Sequence, residues 1–174
     1  GVWAPFDVNT VFADPDERTR MMGLARSLTL EHVVGDARAF LDFLAERPEV
    51  AGERVGTTGY CMGGRISLTV AGHHPDRIGA AASFHGGRLA PEDDPDSPAA
   101  IADRVRATVY VAAAENDETC PPEQLDRLAK AYTEAGVAYT IETYPGAHGF
   151  AVPDNGPYEE ALGERHWAAL EALY

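Results

Sequence analysis

With 174 residues, a mass of 18.7 kDa, and 45% hydrophobic against 24% charged residues, the chain has the make-up of one globular domain with one sizeable core. Its formal net charge of −14 repels phosphate backbones and argues against a nucleic-acid partner; it would also oppose an anionic ligand unless a local basic group met it. No apolar run approaches the roughly 20 residues of a membrane span, and no charged-then-apolar start marks a signal peptide, so a soluble, cytoplasmic protein without a membrane partner is expected.

The first predicted element is a helix opening at Asp14-Pro15-Asp16-Glu17. Asp14 can cap it, Pro15 takes its first position, and Glu17 stands where a capping box wants an acid. A second helix is expected near residues 31–47, where Val33, Ala37, Phe40 and Leu44 recur at helical spacing and Pro48 ends the run. Residues 54–60 read as a short buried strand that leads into a helix over about 62–74. Residues 78–84 and 107–114 are further strands. Between them the segment 86–100, with three prolines and four acidic residues, reads as an excursion over the surface and not as a linker between domains. Pro121 and Pro122 open a helix carrying Leu125, Leu128, Ala129 and Tyr132 on one face. A strand over 138–144 follows, and a last helix holds Leu162, Ala169, Leu170 and Leu173. Strand–helix alternation of this kind predicts one α/β domain over residues 1–174, with a mostly parallel sheet covered by helices on both faces.

The chemistry gathers at the ends of the strands. Gly59-Tyr60-Cys61-Met62-Gly63-Gly64 sits where strand turns directly into helix, which is the setting of a nucleophile elbow with cysteine as the nucleophile. A turn this tight demands that Gly59 and Gly63 lack side chains, and it holds Cys61 in a strained conformation at the edge where open α/β sheets bind ligands. The helix N-terminus beneath lowers the thiol pKa from its free value of about 8.5, and Met62 N–H is the natural oxyanion donor. The plainer alternative is a tight turn that merely buries a thiol.

A cysteine nucleophile needs a base, and the base needs an orienting carboxylate. Asp117 follows the strand 107–114 and His148 follows the strand 138–144, so all three lie at C-terminal strand ends, in the order nucleophile, acid, histidine. Glu115 is the rival acid, and His85, after the strand 78–84, the rival base. Cys120 is expected to pack at the start of its helix; His32, His73, His74 and His166 read as surface or helix-end residues. The two cysteines form no C-x-x-C pair, no Cys/His ligand set appears, and no P-loop or G-x-G-x-x-G is present, so neither a metal nor a cofactor is expected.

At these residues the sequence resembles the dienelactone hydrolase family. The elbow from Gly59 to Gly64 is similar to its nucleophile motif, Asn116-Asp117-Glu118-Thr119-Cys120-Pro121 to its acid loop, and Tyr144-Pro145-Gly146-Ala147-His148-Gly149-Phe150-Ala151 to its histidine loop. The resemblance implies an α/β-hydrolase fold and cleavage of small carboxylic esters or lactones through a thiol acyl-enzyme. Cys61 would be nucleophile, His148 base and Asp117 its partner, with no cofactor. Two departures stand out. Members that bind a dienelactone carboxylate carry an arginine four residues after the histidine; here that position is Val152, which points to a less anionic substrate or to a carboxylate met elsewhere. The fold implied also has strands before the nucleophile strand, whereas the residues before 54 read as two helices and a loop behind Gly1. The fold is therefore expected to be incomplete at its N-terminus, with a further segment or a second chain completing the sheet and supplying a second oxyanion donor.

Two readings from other classes remain open: a non-catalytic relative or fragment that keeps the fold for binding, and a thiol redox role, which a Cys61–Cys120 bond would mark.

Overall fold

A computed structural model describes residues 5–7, 10, 11 and 13–174; the loop expected ahead of the first helix lies partly outside them, as does Gly1. Helix α1 spans Pro15–Ser27 and α2 Leu30–Ala45. Asp14 caps α1 through its carboxylate, which accepts from the N–H groups of Asp16 (2.8 Å) and Glu17 (3.1 Å), while the Glu17 carboxylate turns outward to pair with Arg20. In α2 the inward stripe is Val33, Ala37 and Leu41, with Leu44 half-buried beyond it, whereas Phe40 is 70% exposed. The spacing from Ala37 admits either neighbour, but four residues per step keep Leu41 in line with Val33 and Ala37, so the expected place of Phe40 on that stripe is corrected.

Strand β1 (Val55–Tyr60) feeds α3 (Met62–His73), and β2 (Ile78–Phe84) follows. A short 3₁₀ turn at Ala102–Arg104 precedes β3 (Thr108–Ala114), α4 (Pro122–Ala135), β4 (Tyr139–Tyr144) and α5 (Glu160–Leu173). The four strands pair in chain order, β1-β2-β3-β4, and every pair is parallel. β1 is thus an edge strand of this sheet, with Gly59 opposite Ser83 and Tyr60 opposite Phe84.

Alternate residues of each strand feed two cores. Ala81, Val109 and Val111 face α2, α3 and α4, where Leu41, Leu68, Leu128 and Tyr132 fill the layer. Ala82, Phe84, Tyr110, Ala112 and Tyr144 face α5, which contributes Leu162 and Leu170. This is the alternation a parallel sheet needs when both faces are covered. One buried hydroxyl ties helix to strand: Ser67 Oγ donates to the Thr57 carbonyl at 3.0 Å and shares a 2.9 Å bond with Thr57 Oγ1, pinning α3 to β1.

The segment 86–100 is only partly a surface excursion. Leu89, Ala90 and Ser97 are buried, Ala90 N–H donates to Gln124 Oε1 of α4 at 3.0 Å, and Asp94 pairs with Arg65 of α3 at 2.8 Å, while Glu92, Asp93 and Asp96 stay exposed. Among the described residues no helix is long and apolar enough to cross a membrane.

Candidate active site

β1 ends at Tyr60 and α3 begins at Met62, leaving Cys61 alone to make the turn. It does so with φ 53° and ψ −121°, a region that costs a non-glycine residue energy and persists only where its surroundings fix it. A side chain at Gly59 would run into the carbonyl group of Gly63, so strand and helix meet backbone to backbone at that point. A Cβ on Gly64 would lie 2.5 Å from Ser83 Oγ and 3.1 Å from Gly86 Cα. Gly63 is the exception: a Cβ there would meet nothing within 4 Å. The expectation that Gly59 and Gly63 both need to lack side chains is therefore corrected to Gly59 and Gly64, because Gly63 offers its backbone to the contact and turns its Cβ position toward open space.

Cys61 is exposed, and its backbone N–H is shared between the Phe84 carbonyl (3.1 Å) and His85 Nδ1 (3.2 Å). Beyond β3, Asn116 takes a positive φ of 56° and turns Asp117 inward. The Asp117 carboxylate is 3% exposed; Oδ1 accepts from Thr119 N–H (2.9 Å) and Thr119 Oγ1 (2.7 Å), and Oδ2 lies 2.7 Å from His148 Nδ1. The side chains of His148 and Cys61 also interact, so the imidazole stands between thiol and carboxylate. Glu115 is exposed and joins only through its backbone N–H, which donates to the carbonyls of Tyr144 (3.1 Å) and Gly146 (2.9 Å) and ties the acid loop to the histidine loop.

The electrostatics follow from these contacts. The hydrogen bond with His148, acting against burial and helped by Met62 N–H, holds the Cys61 thiol below its ordinary value. Reciprocally, the bond with Cys61, against burial and with help from Asp117, lifts His148 to about 9. Burial pushes the Asp117 carboxyl up, but hydrogen bonds from His148 and from both Thr119 donors outweigh it and keep the group below the usual carboxylate range. The three contacts thus shift the thiol down and the imidazole up, with the ring's Nδ1 held by a carboxylate. Cys120 is different: it is buried just ahead of α4, and burial pushes its thiol up to about 11.

His85 touches neither Asp117 nor the thiol by a hydrogen bond; its Nδ1 faces Cys61 N–H, so it does not hold the base's position. His166 corrects the surface assignment made from sequence. It is buried on the inner face of α5, with Nε2 3.0 Å from Tyr60 Oη and Nδ1 bonded to the Gly163 carbonyl. His73 and His74 do close α3, and His32 is exposed. Beside Tyr60, Val152 lines a largely apolar cavity of about 310 Å³ with Ala151, Pro153 and Trp167. Among the described residues no group of three or more His, Cys, Asp or Glu gathers as a metal site would require.

Parallel strands covered on both faces, a strained residue at a strand-to-helix elbow and an acid and histidine beyond the ends of β3 and β4 are the features of an α/β-hydrolase. The sequence profile of the Dienelactone hydrolase family matches residues 7–173, and the chain belongs to that family. Curated relatives include "Protein usf" of Aquifex pyrophilus, 29% identical over 150 residues (85% of this chain, 62% of the relative). A Synechocystis protein named "Putative carboxymethylenebutenolidase" is 27% identical over 146 residues, 82% of this chain and 58% of its own. In three dimensions the chain superposes on the crystal structure titled "Putative Dienelactone Hydrolase" from Klebsiella pneumoniae with a TM-score of 0.78 at 25% identity, covering 97% of this chain and 67% of that one. The chain spans about three-fifths of the length of the curated relatives it matches.

Proposed function

We propose that this chain carries the reacting groups of a hydrolase for small carboxylic esters or lactones that works through a thioester on Cys61. The observation that carries the reading is the His148 ring, 2.7 Å from the buried Asp117 carboxylate and interacting with the side chain of Cys61, whose thiol is the exposed member. The name of the Synechocystis relative, which refers to a butenolide, agrees with a cyclic ester as substrate.

In this mechanism the Cys61 thiolate attacks the substrate carbonyl carbon and forms the C–S bond. The carbonyl oxygen takes the displaced electron pair and is received by the Met62 N–H at the start of α3. As the tetrahedral intermediate collapses, the C–O bond to the leaving group breaks and the His148 imidazolium passes its proton to that oxygen. Water then attacks the thioester, neutral His148 accepts its proton, and the C–S bond breaks to release the carboxylic acid and restore the thiolate–imidazolium pair. Asp117 keeps its carboxylate throughout, holding Nδ1–H in place and stabilising the charged ring.

Rapid quenching of the protein with excess p-nitrophenyl acetate, followed by peptide mass spectrometry, should find an acetyl group on the peptide containing Cys61. Acetyl only on lysine or serine peptides would remove the thioester route. Asp117→Asn should slow acylation on the order of 10²- to 10⁴-fold without unfolding the chain, because the amide can stabilise neither the imidazolium nor its tautomer. Glu115→Gln should stay close to the parent rate. A stopped-flow comparison giving the reverse order would reassign the acid.

A further inference from the structure

We propose that His85 is a positioning residue: a neutral imidazole that accepts the Cys61 backbone N–H and backs the His148 ring, so that thiol and base meet. The inference rests on the reading of Cys61 and His148 given above and extends it to a residue outside their hydrogen-bonded relay.

His85 follows the last residue of β2 with φ 39°, and its own N–H donates to the Ala112 carbonyl of β3 at 2.8 Å. The residue is 1% exposed. Its Nδ1 lies 3.2 Å from Cys61 N, and because a backbone N–H can only donate, Nδ1 must be the unprotonated nitrogen. The proton therefore sits on Nε2, which is buried with no hydrogen-bond partner. The surrounding rings are those of His148 at 5.0 Å between centroids, Phe150 at 5.1 Å and Tyr60 at 6.0 Å.

A buried N–H without an acceptor costs stability. Phenylalanine would fill the same space against the same rings without that cost. What the imidazole adds is an acceptor aimed at Cys61 N–H, the one backbone donor of a residue held at a strained φ of 53°. Sharing that N–H with the Phe84 carbonyl alone would leave the Cys61 plane free to swing about a single bond. The second acceptor fixes it, and with it the direction of the Cα–Cβ bond that carries the thiol.

The role also requires His85 to stay uncharged. Protonation would place a second donor at Nδ1 facing Cys61 N–H, and a cation one ring away from His148. Burial first, and then the charge on His148, depress His85 to about 4, opposed by Asp117; His166 from the α5 side adds to the depression. Two histidines 5.0 Å apart thus take opposite parts, His148 charged and His85 neutral.

The test reads the thiol itself, without any ester. The pH dependence of Cys61 alkylation by iodoacetamide should show, in the parent chain, a midpoint below the ordinary thiol range of about 8.5. His85→Phe should move that midpoint up by about one pH unit and slow alkylation at neutral pH several-fold. Asn places its oxygen near the position of Nδ1 and Gln near that of Nε2, so His85→Asn should recover most of the parent profile and His85→Gln should not. That pair decides the matter even if the Phe variant does not fold. Parent-like profiles in His85→Phe or His85→Gln, with His148→Ala still raising the midpoint, would overturn the inference and leave the site reading intact. A His148→Ala variant with the parent profile would instead remove the Cys61–His148 pair on which both depend.

Discussion

Replacing Cys61 by alanine should lower steady-state hydrolysis of a small activated ester by on the order of 10³-fold or more, while Cys120→Ala leaves it nearly unchanged. The two thiols separate on physical grounds. Cys61 is exposed, sits at a helix N-terminus and is held low by its bond with His148; Cys120 is buried in the core and pushed up to about 11. Only the first is shifted toward the thiolate. Alanine at 61 keeps the elbow backbone and the Met62 N–H, so the residual rate would measure binding and oxyanion contact without a nucleophile. Equal rates for the parent and Cys61→Ala would mean that turnover does not pass through this residue. Equal loss in Cys120→Ala would point to core damage as the common cause.

Gly59→Ala should be the most damaging single methyl that can be added at this site. Its Cβ would have to occupy the place of the Gly63 carbonyl, and neither β1 nor the first turn of α3 can retreat without breaking the pairing of Gly59 with Ser83. The expected cost is about 3 kcal/mol or more in urea unfolding, together with loss of thiol reactivity. Gly63→Ala, four residues on in the same motif, should cost less than about 1 kcal/mol and could stabilise α3, since its Cβ meets nothing and alanine favours helix. Similar losses in the two variants would contradict the backbone-to-backbone contact described for the elbow.

Much of this architecture could be read from the chain before folding was considered. The strand 78–84 agrees with β2 to the residue, and 107–114 and 138–144 differ from β3 and β4 by one residue at the start. The first two are short apolar runs and the third mixes aromatic and β-branched residues with polar ones, all bounded by strong turn signals, which leaves little freedom of register. Asp117 and His148 were legible for the same reason: each stands a few residues beyond a strand whose end is well marked. Other features needed three dimensions. Phe40 and Leu41 are adjacent, and only packing against α3 and the sheet selects the second. His166 did carry a signal, since it lies four residues from both Leu162 and Leu170, both buried. A polar side chain on an apolar stripe is easily assigned outward unless its partner, here Tyr60 Oη, is known. The contact of His85 with Cys61 emerges only once β1 and β2 are in register; with Tyr60 opposite Phe84, the next residues of each strand must meet. Gly63 and Gly64 are indistinguishable as letters, and which of them faces Ser83 is decided by the helix rotation.

The agreement between strand order and chain order bears on how the protein is made. As the chain leaves a ribosome, α1 and α2 precede β1 and α3; β2 can then pair with β1, β3 with β2, and β4 arrives last of the four, each later strand finding a neighbour already laid down. Among these four, no strand has to be inserted between two others, so the loops to be closed stay short. The elbow at Cys61 is therefore made before β4, whereas His148 follows β4 and is delivered after it. Until then Cys61 lacks the histidine whose contact holds its thiol below the ordinary range. The pairing of Cys61 with His148 thus waits on the docking of the last of the four strands.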